Sequence, residues 1–135
     1  MTWNLSKVRI FQGMSKRELE SVARVGRKMR ATTGQILCQQ GEPGHQFFVI
    51  LEGDASVDRG GRNVADLSAG DYFGELALLD RGPRSATVQA KSDMLLLVIE
   101  ELDFSALLDE IPGLAHKLLA TLATRLRTAE ALPFH

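Results

Sequence analysis

The apolar residues of this chain keep helical spacing near its two ends and strand spacing between them. In residues 15 to 26, Leu19, Val22 and Ala23 follow Ser15 and Glu18, an S-x-x-E capping box, and Gly26 stands where a helix would stop. The pattern predicts a short helix with one face in need of cover. From 28 to 99 the texture changes to short apolar or alternating runs, such as QFFVIL at 46–51 and MLLLVI at 94–99. Gly34, Gly41, Gly44, Gly53, Gly60, Gly61 and Gly70 punctuate them, as turns punctuate antiparallel sheet.

Two of the turns can be typed. Glu42-Pro43-Gly44-His45 suits a type II turn, and Arg59-Gly60-Gly61-Arg62 suits a two-residue hairpin loop. Many short strands joined in this way predict a closed barrel or a double-sheet jelly roll. After residue 100 the helical period returns. Leu102, Leu107 and Leu108 predict a short helix, and a longer one starts near Pro112, with Leu114, Leu118, Leu119, Leu122 and Leu126 on one broad face. These closing helices span about 101–132, and the last is longer than a small barrel needs for cover.

Composition narrows the functional classes. A chain of 135 residues, 44% hydrophobic and 24% charged, is expected to form one domain over 1–135 with an ordinary core. Sixteen basic against seventeen acidic residues give a net charge of −1, so no global positive field exists for nucleic acid or an anionic membrane surface. Any anion site must be local. No run approaches the length of a membrane span, and MTWNLSKVRI has no apolar signal-peptide centre. Cys38 is the single cysteine, which excludes a disulfide scaffold and fits a cytoplasmic, reducing compartment.

The stretch FGELALLDRGPRSATV, residues 73–88, carries the candidate chemistry. A short helix over GELALL would bring free N–H groups and the positive end of its dipole to an anion, with Gly74 allowing close approach. Arg84 adds a permanent charge and a planar fork that can grip two phosphate oxygens. Glu75 is the misfit, because a carboxylate beside a phosphate is repelled unless it accepts a hydrogen bond from something else on the ligand. A ribose hydroxyl is the natural donor.

F-G-E-L-A-L, a turn ending in P-R, then S-A-T-V closely resembles the phosphate-binding cassette of cyclic nucleotide-binding domains. The resemblance extends over GQILCQQGEPGHQFFVILEGDASV (34–57), GRNVADLSAGDYFGE (61–75) and residues 101–131, nearly the whole chain. It implies an α+β, mainly β fold: an eight-stranded antiparallel jelly-roll barrel with an N-terminal helix, a short cassette helix and C-terminal helices. It implies that Glu75 takes the ribose 2′-hydroxyl and Arg84 the cyclic phosphate, while Phe73, Gly74, Leu76, Ala77, Ser85, Ala86 and Thr87 line or follow the cassette. The ligand is then cAMP or, as the less favoured choice, cGMP, with no cofactor. In the family a Thr at the position of Ser85 is associated with tolerance of guanine.

Thr121, Thr124 and Thr128 share a stripe of the last helix beside Arg125 and are candidate base contacts. Against that, helix threonines commonly bond back to the i−4 carbonyl, and Arg125 can be merely solvated. Bacterial regulators of the family use a Thr-Ser pair on this helix for adenine, and an ungapped comparison puts Ala129 and Glu130 there, which leaves base preference open. His45 reads as a turn residue rather than a ligand in a metal cupin, and Cys38 as a small core or strand residue.

No Ser-His-Asp order, catalytic carboxylate pair or Walker-type lysine loop is visible, so an enzyme is not expected. The expectation is a sensor that signals by moving its C-terminal helix. The alternatives are an interaction module that lost its ligand, or the regulatory part of a larger transcription regulator or enzyme. Pro133 is expected to close the helix after Leu132 and to leave no room for an effector. Action in trans on a partner, self-association through the leucine face, or excision from a longer polypeptide follows.

Overall fold

The computed structural model describes residues 4–129. The expected extension of the last helix to 132, Glu130 and Pro133 lie outside them, as does the side chain of Ala129.

Two 3-10 turns, Leu5–Lys7 and Arg9–Phe11, lead into α1 (Lys16–Val25). The capping box of α1 is complete: Glu18 N–H donates to Ser15 Oγ at 3.1 Å, and Ser15 N–H donates to Glu18 Oε1 at 2.9 Å. Eight strands follow, β1 (Arg27–Ala31), β2 (Ile36–Cys38), β3 (Gln46–Glu52), β4 (Ala55–Arg59), β5 (Arg62–Leu67), β6 (Tyr72–Phe73), β7 (Thr87–Ala90) and β8 (Met94–Glu100). Helix α2 (Glu75–Leu79) interrupts them between β6 and β7, and α3 (Glu101–Glu110) and α4 (Pro112–Ala129) close the chain. The strands form two antiparallel four-stranded sheets in the orders β1-β8-β3-β6 and β2-β7-β4-β5, a jelly roll.

The near-continuous apolar runs of β3 and β8 have a simple cause: both faces of this sheet are buried. Phe47, Val49, Leu97 and Ile99 face a core shared with Phe11, Val22, Phe104, Leu107, Ile111, Leu114 and Leu118. Their neighbours Phe48, Ile50, Leu96 and Val98 face the barrel interior, with Cys38, Val88 and Ala90 of the other sheet.

One expected turn holds and one moves. Gly60 and Gly61 both have positive φ, 59° and 78°, between the paired Arg59 and Arg62, as a two-residue hairpin loop requires. The type II geometry lies three residues earlier than expected: Glu42 N–H donates to Gln39 O at 3.1 Å with Gly41 at φ 87°. Pro43 instead forms an isolated antiparallel bridge with Pro83, which ties this turn to the loop after α2.

The closing helices use fewer of the expected leucines than the period suggested. On α3, Leu107 and Phe104 are buried while Leu102 is 84% exposed. On α4, Leu114 and Leu118 are buried, but Leu119 and Leu126 stand 65% and 58% exposed. The broad apolar face splits into a packed half and a bare half.

Candidate functional site

Gly74 caps α2 with φ 96° and ψ −2°, a left-handed conformation that glycine adopts without a Cβ penalty. A Cβ there would also lie 2.8 Å from Gln46 O and 2.9 Å from Arg84 Nη1. The glycine is therefore required twice, by backbone conformation and by close approach.

Arg84 is 7% exposed and Glu75 4%, so neither charge is a solvated loop residue. The guanidinium is anchored by backbone: Nη1 donates to Gly74 O at 3.0 Å and Nη2 to Gln46 O at 2.9 Å, with donors left over. Its Cζ sits 5.9 Å from the centroid of the Phe48 ring. Gly44 makes room for it, because a Cβ on Gly44 would lie 2.2 Å from Arg84 Nε. Glu75 takes its charge partner from 50 residues further along the chain, Arg125 of α4, with Nη1 3.3 Å from Oε2.

A cavity of about 520 Å³ opens between α2, β4, β5, β7 and the end of α4. Phe73, Gly74, Glu75, Leu76, Ala77, Arg84, Ser85 and Ala86 all line it, joined by Arg125 and Thr128. Its size suits a small ligand, for which pockets run roughly 300–1,000 Å³. The wall is partly apolar, with Val57, Val64, Leu67, Tyr72 and Val88, residues that the motif did not single out. Hydrophobic positions at a strand period signal only the barrel, not which of its openings stays empty.

Thr87, Thr121 and Thr124 are not among the residues that line this cavity. Thr87 Oγ1 accepts from Gln40 N–H at 3.0 Å and thus fastens the turn after β2. Ser85 is exposed at the cavity, and its carbonyl accepts from Arg59 Nε at 3.1 Å. The hydroxyls of Thr124 and Thr128 donate to the Ala120 and Thr124 carbonyls, each at 3.1 Å, so both bond back along the helix. Thr121 lines a second cavity of about 320 Å³ beside Tyr72, Arg9, Asp71 and Lys117. Arg125 forms part of both cavities and lies 5.9 Å from the Tyr72 ring centroid.

Burial raises the pKa of Tyr72 and pushes the Cys38 thiol up to about 11; for the thiol, the nearby Arg84 charge opposes the shift in part. Cys38 is thus an inert core residue of β2. Among the described residues no cluster of three or more His, Cys, Asp or Glu could hold a metal ion. No helix of the described residues is long and apolar enough to cross a membrane.

A glycine-capped short helix, a buried arginine and a buried carboxylate around one cavity are what the cassette motif demands, and the family comparison agrees. Residues 28–110 match the model of the cyclic nucleotide-binding domain. The chain belongs to the cyclic nucleotide-binding domain family. A cyclic nucleotide-gated potassium channel of Rhizobium etli is 36% identical over 91% of this chain and 35% of its own length. The crystal structure of the Thermus thermophilus catabolite activator protein matches with TM-score 0.85 and 34% identity over 90% of this chain and 60% of that one. The regulatory domain of Toxoplasma gondii protein kinase A, solved with cAMP, matches with TM-score 0.79 and 33% identity over 90% of this chain and 47% of that one. This cyclic nucleotide-binding domain therefore spans only part of the length of such relatives, which are regulators, receptors and channels rather than catalytic domains.

Proposed function

We propose that this chain acts as one cytoplasmic, non-catalytic sensor unit that binds a cyclic nucleotide, cAMP before cGMP, and passes the event to an effector through α4. The observation that carries the reading is the buried Arg84 guanidinium, held in place by two backbone carbonyls at the wall of a cavity that also contains Glu75. A permanent cation preorganised in this way is suited to a phosphate, since its ordering is already complete before the ligand arrives. The first turn of α2 adds its dipole.

Glu75 accepts the ribose 2′-hydroxyl in this scheme. To do so it must share or give up Arg125, and that exchange is the means by which occupancy of the cassette repositions α4. Arg125 and Thr128, which line the cavity from α4, are the better placed of the candidate base contacts. Support for cAMP comes from the Toxoplasma relative solved with that ligand and from Ser85 standing where guanine-tolerant members carry threonine. The bare half of α4 is the proposed surface for a second copy.

The test is calorimetric titration of refolded, nucleotide-free chain with cAMP and with cGMP. Binding at micromolar strength or better, tighter for cAMP, is the expected result. A folded chain that takes up heat with neither nucleotide would rule the sensor out.

A further inference from the structure

The cavity of about 320 Å³ lies where the second 3-10 turn, the start of β6 and α4 meet. Three cations line it, Arg9, Lys117 and Arg125, against one carboxylate, Asp71. That carboxylate is already engaged: Oδ1 pairs with Arg9, and Oδ2 accepts the Ser68 N–H at 2.9 Å. Arg125 commits Nη1 to Glu75 and keeps Nε and Nη2. Lys117 is half-buried, yet among the described residues its ammonium has no ion-pair partner. With Glu75 set against Arg125, the positive charge of Lys117 is left uncompensated at the cavity wall.

Lys117, Thr121 and Arg125 stand at i, i+4 and i+8 of α4, so one stripe of the helix serves the cavity. Thr121 and Tyr72 add hydroxyl groups to the lining. Burial raises the pKa of Tyr72, so its hydroxyl stays protonated at neutral pH and is able to donate. Ile10, Leu67 and Ala120 supply an apolar patch beside these polar groups. Arg9, Lys117 and Thr121 take no part in the cassette cavity.

We propose that this cavity binds a small phosphate monoester, its charge met by Lys117, Arg9 and Arg125 and its organic part laid on Ile10, Leu67 and Ala120. A phosphate monoester carries close to two negative charges at neutral pH and three acceptor oxygens, which suits cationic donors arriving from separate positions. A carboxylate, with one charge and two oxygens, leaves some of those donors idle. The volume stands at the small end of ligand pockets, roughly 300–1,000 Å³, and exceeds what a bare oxyanion fills. Such a ligand binds whether or not a cyclic nucleotide occupies the cassette.

The experiment titrates the whole isotope-labelled chain with phenyl phosphate at fixed ionic strength and follows the backbone amides by NMR. The amides of Ile10 and Thr121 are expected to shift and saturate, with a Kd of about 1 mM or tighter. Lys117→Gln is expected to weaken this binding about tenfold, and Lys117→Arg, which keeps the charge, to restore it to near wild type. Arg9→Gln, at an exposed side chain, is expected to weaken it in the same direction, and the spectrum of each variant reports its fold. Inorganic phosphate is expected to move the same amides at higher concentration; equal affinity overturns the role given to the apolar patch. Ile10 and Thr121 signals that never saturate, or undiminished affinity in Lys117→Gln, overturn the site. Shifts confined to Gly74, Ala77 and Ser85 place the phosphate in the cassette and overturn it as well.

Discussion

Arg125 Nη1 stands 3.3 Å from Glu75 Oε2, so the C-terminal part of α4 supplies the counter-charge for the first residue of α2.

 The two charges are 50 residues apart in sequence and meet at the cavity wall. Glu75 has almost no exposed surface, whereas Arg125 is half exposed. The carboxylate depends on the arginine more than the arginine depends on it.

Removing the arginine should therefore destabilise the empty protein. Arg125→Met leaves Glu75 buried without a charged partner and is expected to cost about 1–2 kcal/mol, read as a lower urea midpoint without ligand. Saturating cAMP should recover part of the loss, because a ribose hydroxyl can then satisfy the carboxylate. An unchanged midpoint in the ligand-free protein would mean that the pair does not hold α4 in place.

Arg84 and Glu75 should fail in different ways. Arg84→Ala removes the proposed phosphate grip and is expected to weaken cAMP binding by about a hundredfold or more, as for loss of a buried charge-assisted contact. Glu75→Ala should weaken cAMP binding while barely changing the affinity for 2′-deoxy-cAMP, which has no hydroxyl to offer. Calorimetry on both variants with both ligands checks the assignment, and an equal loss for the deoxy analogue would remove Glu75 from the ribose.

Gly44→Ala tests the seat of the arginine. An added Cβ would lie 2.2 Å from Arg84 Nε, and the side chain it meets is held by two carbonyls rather than free to swing away. Weaker cAMP binding is expected, with the β-barrel still folded by circular dichroism. Wild-type affinity would show that the guanidinium can shift without consequence.

Alkaline pH should weaken the fold through Cys38. Burial pushes its thiol up to about 11 in the folded protein, from an ordinary value of 9.0. The folded pKa is the higher one, so the stabilising contribution is full below pH 9.0 and is lost as pH rises from there to about 11. The raised pKa of Tyr72 acts in the same direction at higher pH. Urea unfolding of wild type and Cys38→Ala across this range checks it: the decline should be shallower in the variant. In the native state the thiol should also react slowly with iodoacetamide at neutral pH.

The bare half of α4 gives a prediction about assembly. Leu119 and Leu126 lie two helical turns apart and are exposed, so a second copy packed along them should be detectable by light scattering at high concentration. Leu119→Gln with Leu126→Gln is expected to shift that mass toward the monomer. A monomeric wild type, with and without cAMP, would leave this surface without a partner of its own kind.

Much of the fold was legible because its signals are local. Ser15 and Glu18 predict a helix start from two side chains, and Gly60-Gly61 a hairpin from two backbones. The motif brought Glu75 and Arg84 to one site, but their burial was not legible, since a buried charge leaves no periodic trace. What escaped is set by contacts distant in sequence. The placement of the type II turn at Gly41 reflects the pairing of Pro43 with Pro83, forty residues away. His45 reads as punctuation until Glu101 is seen beside it, 56 residues on. Arg125 was expected at the base, but its pairing with Glu75 depends on how α4 packs, which no spacing within α4 records.

The two-sided sheet of β3 and β8 has a consequence for how the molecule can move. Odd-numbered residues of these strands hold the helices and even-numbered ones seal the barrel, so the two cores share a wall but no filling. The helical layer can slip across one face while the interior stays dry on the other. Amide hydrogen exchange should then resolve two protection classes, with the helices opening at lower free energy than the strands they rest on.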